Sequence, residues 1–225
     1  DREEFIAAGG SDLGADTDWT EAVTRNAISQ IHNIAASGGF NNTTFRISAN
    51  IREKEGIVIN TGFEQFNSRA NISTRALNDK LKVDFNASFT QRQSSFGNPL
   101  VLKYATLFNP TAPIYTAGSP FFPGDSGDVI GGYFETFGLF DSFNPVSIAE
   151  QHEQTGERME LNYNLSLGYD LTDYLDIQFR AARQTSKNNN RNYIPVTALQ
   201  DGNALSPTRR GLAEFEDNRF EFSLY

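Results

Sequence analysis

The sequence predicts an all-β protein: an antiparallel, up-and-down segment of a transmembrane β-barrel, with about seven strands of a larger barrel and one short N-terminal helix. Three observations predict this fold. Apolar and polar residues alternate in several segments, and tight and long connections strictly alternate along the chain. No stretch approaches the roughly 18 consecutive apolar residues of a membrane-spanning helix. Because a barrel strand needs apolar residues only at every second position, the mean hydropathy of −0.46 is compatible with it.

Composition narrows the classes of function. The 225 residues carry a formal net charge of −9, which argues against a nucleic-acid surface. The absence of cysteine excludes disulfides, thiol catalysis and thiolate metal sites, and we expect no cofactor. The first four residues are charged and no apolar segment follows them, so no signal peptide is visible. The last residues lie inside an alternating pattern, and we therefore expect the sequence to be part of a longer protein.

The first 30 residues differ from the rest. Asp18 is placed as a helix N-cap, and Glu21 completes a capping box. Apolar residues then follow at nearly helical spacing, so the pattern predicts a short amphipathic helix from Trp19 to Gln30.

Beyond this helix the hydrophobic period changes to two, which predicts strands with one apolar and one polar face. The alternating segments span residues 31–36, 45–52, 69–76, 82–89, 161–170 and 175–180, and one more begins at 220.

The connections point to a barrel. Short connections rich in Gly, Asn and Asp lie at 38–42, 77–80 and 171–173, and they alternate with long connections at 53–62, 92–156 and 187–217. All tight turns therefore lie at one end of the sheet, as in outer-membrane barrels. All eight prolines fall in the two longest connections, predicted as extracellular loops at about 93–156 and 187–217.

In a barrel the apolar face contacts outer-membrane lipid and the polar face lines the lumen. Lumen-facing arginines would then balance acidic groups or contact an anionic substrate; they are Arg46, Arg52, Arg69 and Arg75. The alternative is a soluble β-sandwich that binds glycans through loop aromatics, because sandwiches show the same alternation. An enzyme is not predicted, since no acid–base pair is identifiable from spacing.

The longest loop carries the candidate binding residues. Its aromatic side chains could contact substrate or a partner protein, or could pack a small core within the loop; the candidates are Tyr115, Phe121, Phe122, Tyr133 and Phe134. Asp125 and Asp128 could supply oxygen ligands to calcium, although the spacing of an EF-hand is missing.

An ordered set of short motifs resembles the barrel start of SusC/RagA-type TonB-dependent transporters of Bacteroidota. The set covers roughly residues 1–92 and comprises Thr17-Asp18-Trp19 with the following helix, His32-Asn33, Ser37-Gly38-Gly39, Glu55-Gly56-Ile57-Val58, Arg69-Ala70-Asn71-Ile72 and Leu81-Lys82-Val83.

The resemblance implies a bacterial outer-membrane location and a barrel of about 22 strands around a plug. It also implies a SusD-like surface lipoprotein and TonB as partners, with TonB acting through a region upstream of this sequence. Uptake of oligosaccharides or peptides is the implied function. Residues 1–30 would connect the plug to the barrel at the periplasmic mouth, and residues 31–225 would form the first barrel strands.

Overall fold

The computed structural model describes residues 2–116, 131–135, 143–195, 197–198 and 209–224. Its described helices are α1 (Arg2–Ala7), α2 (Trp19–Val23), α3 (Leu100–Leu107) and α4 (Pro145–Gln151). Its strands are β1 (Ser29–Phe40), β2 (Thr43–Glu55), β3 (Gly62–Ala76), β4 (Leu81–Phe96), β5 (Glu153–Thr172), β6 (Leu175–Ile194) and β7 (Arg209–Leu224).

The seven strands form one antiparallel sheet in sequential order, β1 to β7. This confirms the predicted fold class, an up-and-down, mostly β segment. The tight turns between β1 and β2, β3 and β4, and β5 and β6 all lie at one end. In the second of these turns Leu77, Asn78 and Asp79 have φ of +53°, +56° and +66°. Two of the three are Asn and Asp, the residue types that tolerate this region best apart from glycine.

The register fixes two chemically different faces. Phe45 of β2 lies opposite Ile72 of β3, and the same row continues through Phe85 of β4 and Leu165 of β5. We call this side the apolar face. The neighbouring positions form the polar face, because successive strand side chains point to opposite sides. Large apolar side chains on the apolar face are open to the surroundings, for example Ile47 at 52%.

The strands are longer than their alternating segments indicate. β5 and β6 each contain 20 residues, and β4 and β6 continue into the two predicted loops. The connections that remain are 97–152 and 195–208. The alternation in sequence ends earlier than the hydrogen-bonded ladder because, near the long connections, both faces of the sheet are polar.

The helix near the N-terminus is shorter than predicted: α2 ends at Val23, not Gln30. The predicted cap is present, since Asp18 accepts a hydrogen bond from the Glu21 amide at 2.9 Å. After Val23 the chain becomes extended because its amides find partners in the β2–β3 connection. The Arg25 amide donates to the Ile57 carbonyl at 2.8 Å, which replaces the next helical turn.

The buried core lies at one end of the sheet. Residues 11–25, the β2–β3 connection at 56–61 and the described part of 97–152 pack together at the end of the sheet opposite the tight turns. We call this unit the cap.

Within the described residues, no helix is both long and apolar enough to cross a membrane.

The start of β3 depends on a glycine. Gly62 has φ +156°, and a Cβ there would lie 2.6 Å from the Lys54 carbonyl oxygen. We expect Gly62→Ala to lower the free energy of unfolding by about 1–3 kcal/mol, through backbone strain and this clash. At Gly168 a Cβ would meet only Lys82 at 3.9 Å, so Gly168→Ala is the matched control. It should change the free energy by less than about 1 kcal/mol. Denaturant titration measures both, and equal effects would contradict the role of Gly62.

Candidate functional site

The polar face is the broadest candidate surface. A depression of about 760 Å³ on it is lined by amide, hydroxyl and guanidinium groups, including Arg69, Asn86, Asn162 and Arg219. A second depression continues toward Arg46. The surface therefore offers many hydrogen-bond donors and acceptors.

Side-chain amides cross three strands of this face in one register row. The Asn67 amide donates to the Asn50 carbonyl oxygen at 2.9 Å, and the Asn50 amide donates in turn to Asn33. Thr90 on β4 donates to Asn67 at 3.0 Å. These bonds hold the side chains in fixed positions, so this row of the polar face is preorganised.

Positive charge is concentrated on the polar face, although the whole chain has a net charge of −9. Among the residues whose side chains the structure describes, the register places ten cationic residues there: Arg46, Arg52, Lys54, Arg69, Arg75, Lys82, Arg92, Arg158, Arg180 and Arg219. Six acidic residues share that face: Asp84, Glu160, Asp170, Asp176, Asp217 and Glu221. The rest of the chain is therefore strongly acidic, and the field over the polar face favours anions.

The four arginines predicted to face a lumen do share the polar face. Asp84 is paired with Lys82 at 3.1 Å, Asp217 with Arg219 at 3.0 Å, and Glu160 with Arg158. Among the described residues, no ion pair involves Arg46, Arg52 or Arg69. These three guanidinium groups are therefore able to take an anionic partner.

The cap joins segments that are distant in sequence. The Trp19 ring meets Phe108 edge-on at 4.9 Å between ring centroids, and Trp19 Nε1 donates to the Asn109 carbonyl at 2.9 Å. The Thr17 hydroxyl donates to the Ala112 carbonyl at 2.7 Å. These contacts fasten the N-terminal segment to the β4–β5 connection.

Asn144 organises the other half of the cap and is fully buried. Its side-chain amide donates to the carbonyls of Ile114 and Phe134 at 2.8 and 2.9 Å. Its carbonyl oxygen accepts from the Val146 and Ser147 amides and so caps α4. One side chain therefore ties three backbone segments together.

Buried titratable groups also lie in the cap. Burial raises the pKa of Glu135 to about 8, opposed by a hydrogen bond from the Asn144 amide. The pKa of Tyr133 is raised by burial and by its hydrogen bond to Glu150. Burial lowers the pKa of His152, whose Nδ1 lies 2.9 Å from the Asn98 amide nitrogen.

The structure separates the candidate aromatics of the longest loop. Tyr133 and Phe134 are buried in the cap core, whereas Tyr115 is 49% exposed and lies 5.4 Å from the Tyr133 ring. Phe121, Phe122, Asp125 and Asp128 lie outside the described residues. In the described ranges no group of three or more His, Asp or Glu side chains could hold a metal ion.

Sequence reasoning missed three aromatic residues of the polar face, one of which, Phe215, lies on β7. Phe63 and Phe96 lie on it because β3 and β4 extend beyond their alternating segments, by the register with Ser94 and Gln154. Following the strand period outward from 69–76 and 82–89 would have found them. Nothing in the sequence pattern pairs Trp19 with Phe108.

Known proteins resemble this chain in sequence over part of their length. No protein-family model matches it. The TonB-dependent receptor SusC of Bacteroides thetaiotaomicron is 29% identical over 136 residues, which are 60% of this chain and 13% of that receptor. The TonB-dependent receptor P3 of Formosa agariphila is 27% identical over 198 residues, 82% of this chain and 18% of that receptor. The chain thus spans less than a fifth of both relatives.

Solved structures share the fold. The RagAB peptide transporter matches with a TM-score of 0.66 and 20% identity, over 94% of this chain and 23% of the matched chain. The RagAB peptide importer in its closed-closed state gives 0.63 and 19%, with the same coverage. The seven-stranded sheet therefore matches a fragment of a TonB-dependent barrel, and these relatives are receptors and transporters.

The role of Asn144 can be tested by hydrogen exchange. We expect Asn144→Ala to lower the opening free energy of the Val146 and Ser147 amides by about 1–3 kcal/mol, because two buried carbonyls and the start of α4 lose their partners. Asn164→Ala, on the polar face, is the matched control and should leave these amides unchanged. Unaltered exchange in Asn144→Ala would show that the cap does not depend on this residue.

Glu135 should make the cap sensitive to pH. Its pKa lies near 8 in the folded chain and near 4.5 when exposed, so the folded state holds its proton more tightly. Cap stability is then fully present below about pH 4.5 and falls as the pH rises toward 8. Glu135→Gln keeps an oxygen for the Asn144 amide and should remove this dependence. Hydrogen exchange of the Phe134 and Asn144 amides at pH 5 and 8, corrected for intrinsic rates, measures the effect. The same change in opening free energy between the two pH values in the parent and in Glu135→Gln would contradict it.

Proposed function

We propose that this chain, which resembles the SusC/RagA-type TonB-dependent receptors, forms part of the barrel wall of an outer-membrane nutrient importer. Its partners would be TonB and a SusD-like surface lipoprotein, and its substrates oligosaccharides or peptides. The fold supports membership of a barrel wall. The names of the relatives support TonB dependence, and RagAB is described as a peptide importer.

The observation that carries the proposal is the apolar face, which no described residue covers with a second sheet. On β5 its apolar side chains run from Met159 to Tyr169, and polar positions follow beyond Met159, beginning with Glu157. Ten residue steps span about 33 Å along a strand. With the tilt of a barrel strand, this corresponds to a belt of about 25 Å, the height of the hydrocarbon-facing band.

The lengths of the connections support a direction for the sheet. In outer-membrane barrels short turns face the periplasm and long loops face outward, so we place the cap on the outside. The N-terminal segment packs into the cap and enters β1 from that end. We therefore propose that residues 11–25 lie on the extracellular side and not at the periplasmic mouth. The sequence predicts a periplasmic position for residues 1–30 and an extracellular position for the long loops, and both cannot hold because residues 11–25 pack against the longest loop in the cap.

The outward placement gives a lipoprotein partner a surface to contact. α3 buries Val101 and Tyr104 in the cap, while Leu102 and Leu107 remain 47% and 58% exposed. Tyr115, in the same connection, is also exposed. Apolar and aromatic groups of this kind are typical of the centre of protein interfaces.

The alternative, a soluble β-sandwich that binds glycans, would require the apolar face to be buried against a second sheet. Adjacent residues Phe85 and Asn86 discriminate between the two, since they lie on opposite faces of β4. We expect a spin label at Phe85→Cys, in the full-length receptor in lipid vesicles, to be accessible to oxygen but not to a water-soluble nickel complex. A label at Asn86→Cys should be accessible to the nickel complex.

Other cysteines of the full-length protein are replaced by serine, and this segment contributes none. Heat-modifiable migration on gels reports whether each labelled receptor is folded. A folded Phe85 variant whose label is protected from both reagents would favour the sandwich and refute the barrel.

A further inference from the structure

The polar face has an aromatic and cationic rim close to the cap. Arg52, Arg92 and Arg158 occupy one register row across β2, β4 and β5. Phe63 and Phe96 lie on the same face, one and two rows nearer the long connections. We call these five residues the rim.

Arg92 is held in a fixed orientation by Phe63 and Ser94. The guanidinium carbon of Arg92 lies 3.9 Å from the centroid of the Phe63 ring, a cation–π arrangement. Arg92 Nε also donates to the Ser94 hydroxyl at 3.1 Å. These contacts fix the plane of the guanidinium, and no carboxylate of the described chain pairs with it.

Phe96 provides an open aromatic surface. Its ring packs against the backbone at Gly156, where a Cβ would lie 2.7 Å from Phe96 Cε2. The residue is nevertheless 48% exposed. A glycine on the neighbouring strand therefore allows the ring to lie close to the sheet while the rest of its surface stays open on the polar face.

The charge of the rim selects the sign of a ligand. Arg158 is neutralised by Glu160, but Arg52 has no ion pair among the described residues. Arg52 and Arg92 therefore present two uncompensated guanidinium groups, in a face that carries more cations than anions. Guanidinium groups bind carboxylate and sulfate oxygens through paired hydrogen bonds.

We propose that the rim binds the acidic units of an anionic oligosaccharide, such as a uronic acid or sulfated polymer; this inference rests on the proposed import function. The open Phe96 ring suits the C–H face of a sugar ring, and the arginines suit its acidic group. The amide wall below, built on Asn50 and Asn67, supplies partners for hydroxyl groups along an extended chain. An acidic peptide would satisfy the arginines but presents few hydroxyl groups to this wall.

The test uses the full-length receptor in detergent with its lipoprotein partner. Titration calorimetry compares tetramers of galacturonate, mannuronate and sulfated galactose with maltotetraose and tetraglutamate. We expect at least one acidic sugar to bind and both other probes to bind at least tenfold more weakly. Affinity for the acidic sugar should fall as salt rises.

Three variants locate the site. Arg92→Gln and Phe96→Ala should each weaken binding of the acidic tetramer about tenfold or more. Arg191→Gln removes an arginine from the opposite face of β6 and should leave binding unchanged. Heat-modifiable migration confirms that each variant is folded, and Arg52→Gln replaces Arg92→Gln if that variant fails to fold.

Four results would overturn the inference: no acidic sugar binds, maltotetraose binds as tightly as the acidic sugars, tetraglutamate binds more tightly than they do, or folded rim variants bind like the parent. If a receptor whose spin labels confirm the barrel imports a neutral sugar or a peptide, the importer stands and the rim assignment fails. If the labels show a sandwich, both fail.

Discussion

Strand register is the constraint on which the rest of this structure depends. Because side chains alternate along a strand, a slip of one residue between two strands would exchange the apolar and polar faces. The pairing of Phe45 with Ile72 fixes an apolar surface, and the pairing of Arg46 with Asn71 fixes a polar one in the next row. The proposed lipid contact, the amide row and the positive charge of the polar face all follow from that single alignment.

The fold could be predicted from the sequence to the extent that it is local. Alternation and turn residues identify the strands, the two faces and the position of the tight turns, because each depends on neighbours within a few residues. The cap could not be predicted in this way. Trp19 and Phe108 meet across 89 positions, and no periodicity in either segment announces the other.

The same distinction explains the outcome at the candidate site. Arg46 and Arg69 lie within strongly alternating segments, and so their face was predictable. Tyr133 and Phe134 lie in a connection whose packing is set by Asn144 and the N-terminal segment, and there aromatic composition alone does not separate core from surface. Phe63 and Phe96 were missed because polar residues on both faces hide the strand period near the cap.

The length of the strands has a consequence for access. On β5 the apolar positions end at Met159, which lies opposite Lys187, and β6 continues from there to Ile194. Seven further steps along a tilted strand rise about 18 Å. With the lower part of the strand embedded as proposed, this collar lifts the entrance well clear of the bilayer. Long, stiff polymers could thus approach the entrance from the surrounding medium without first contacting the lipid headgroups.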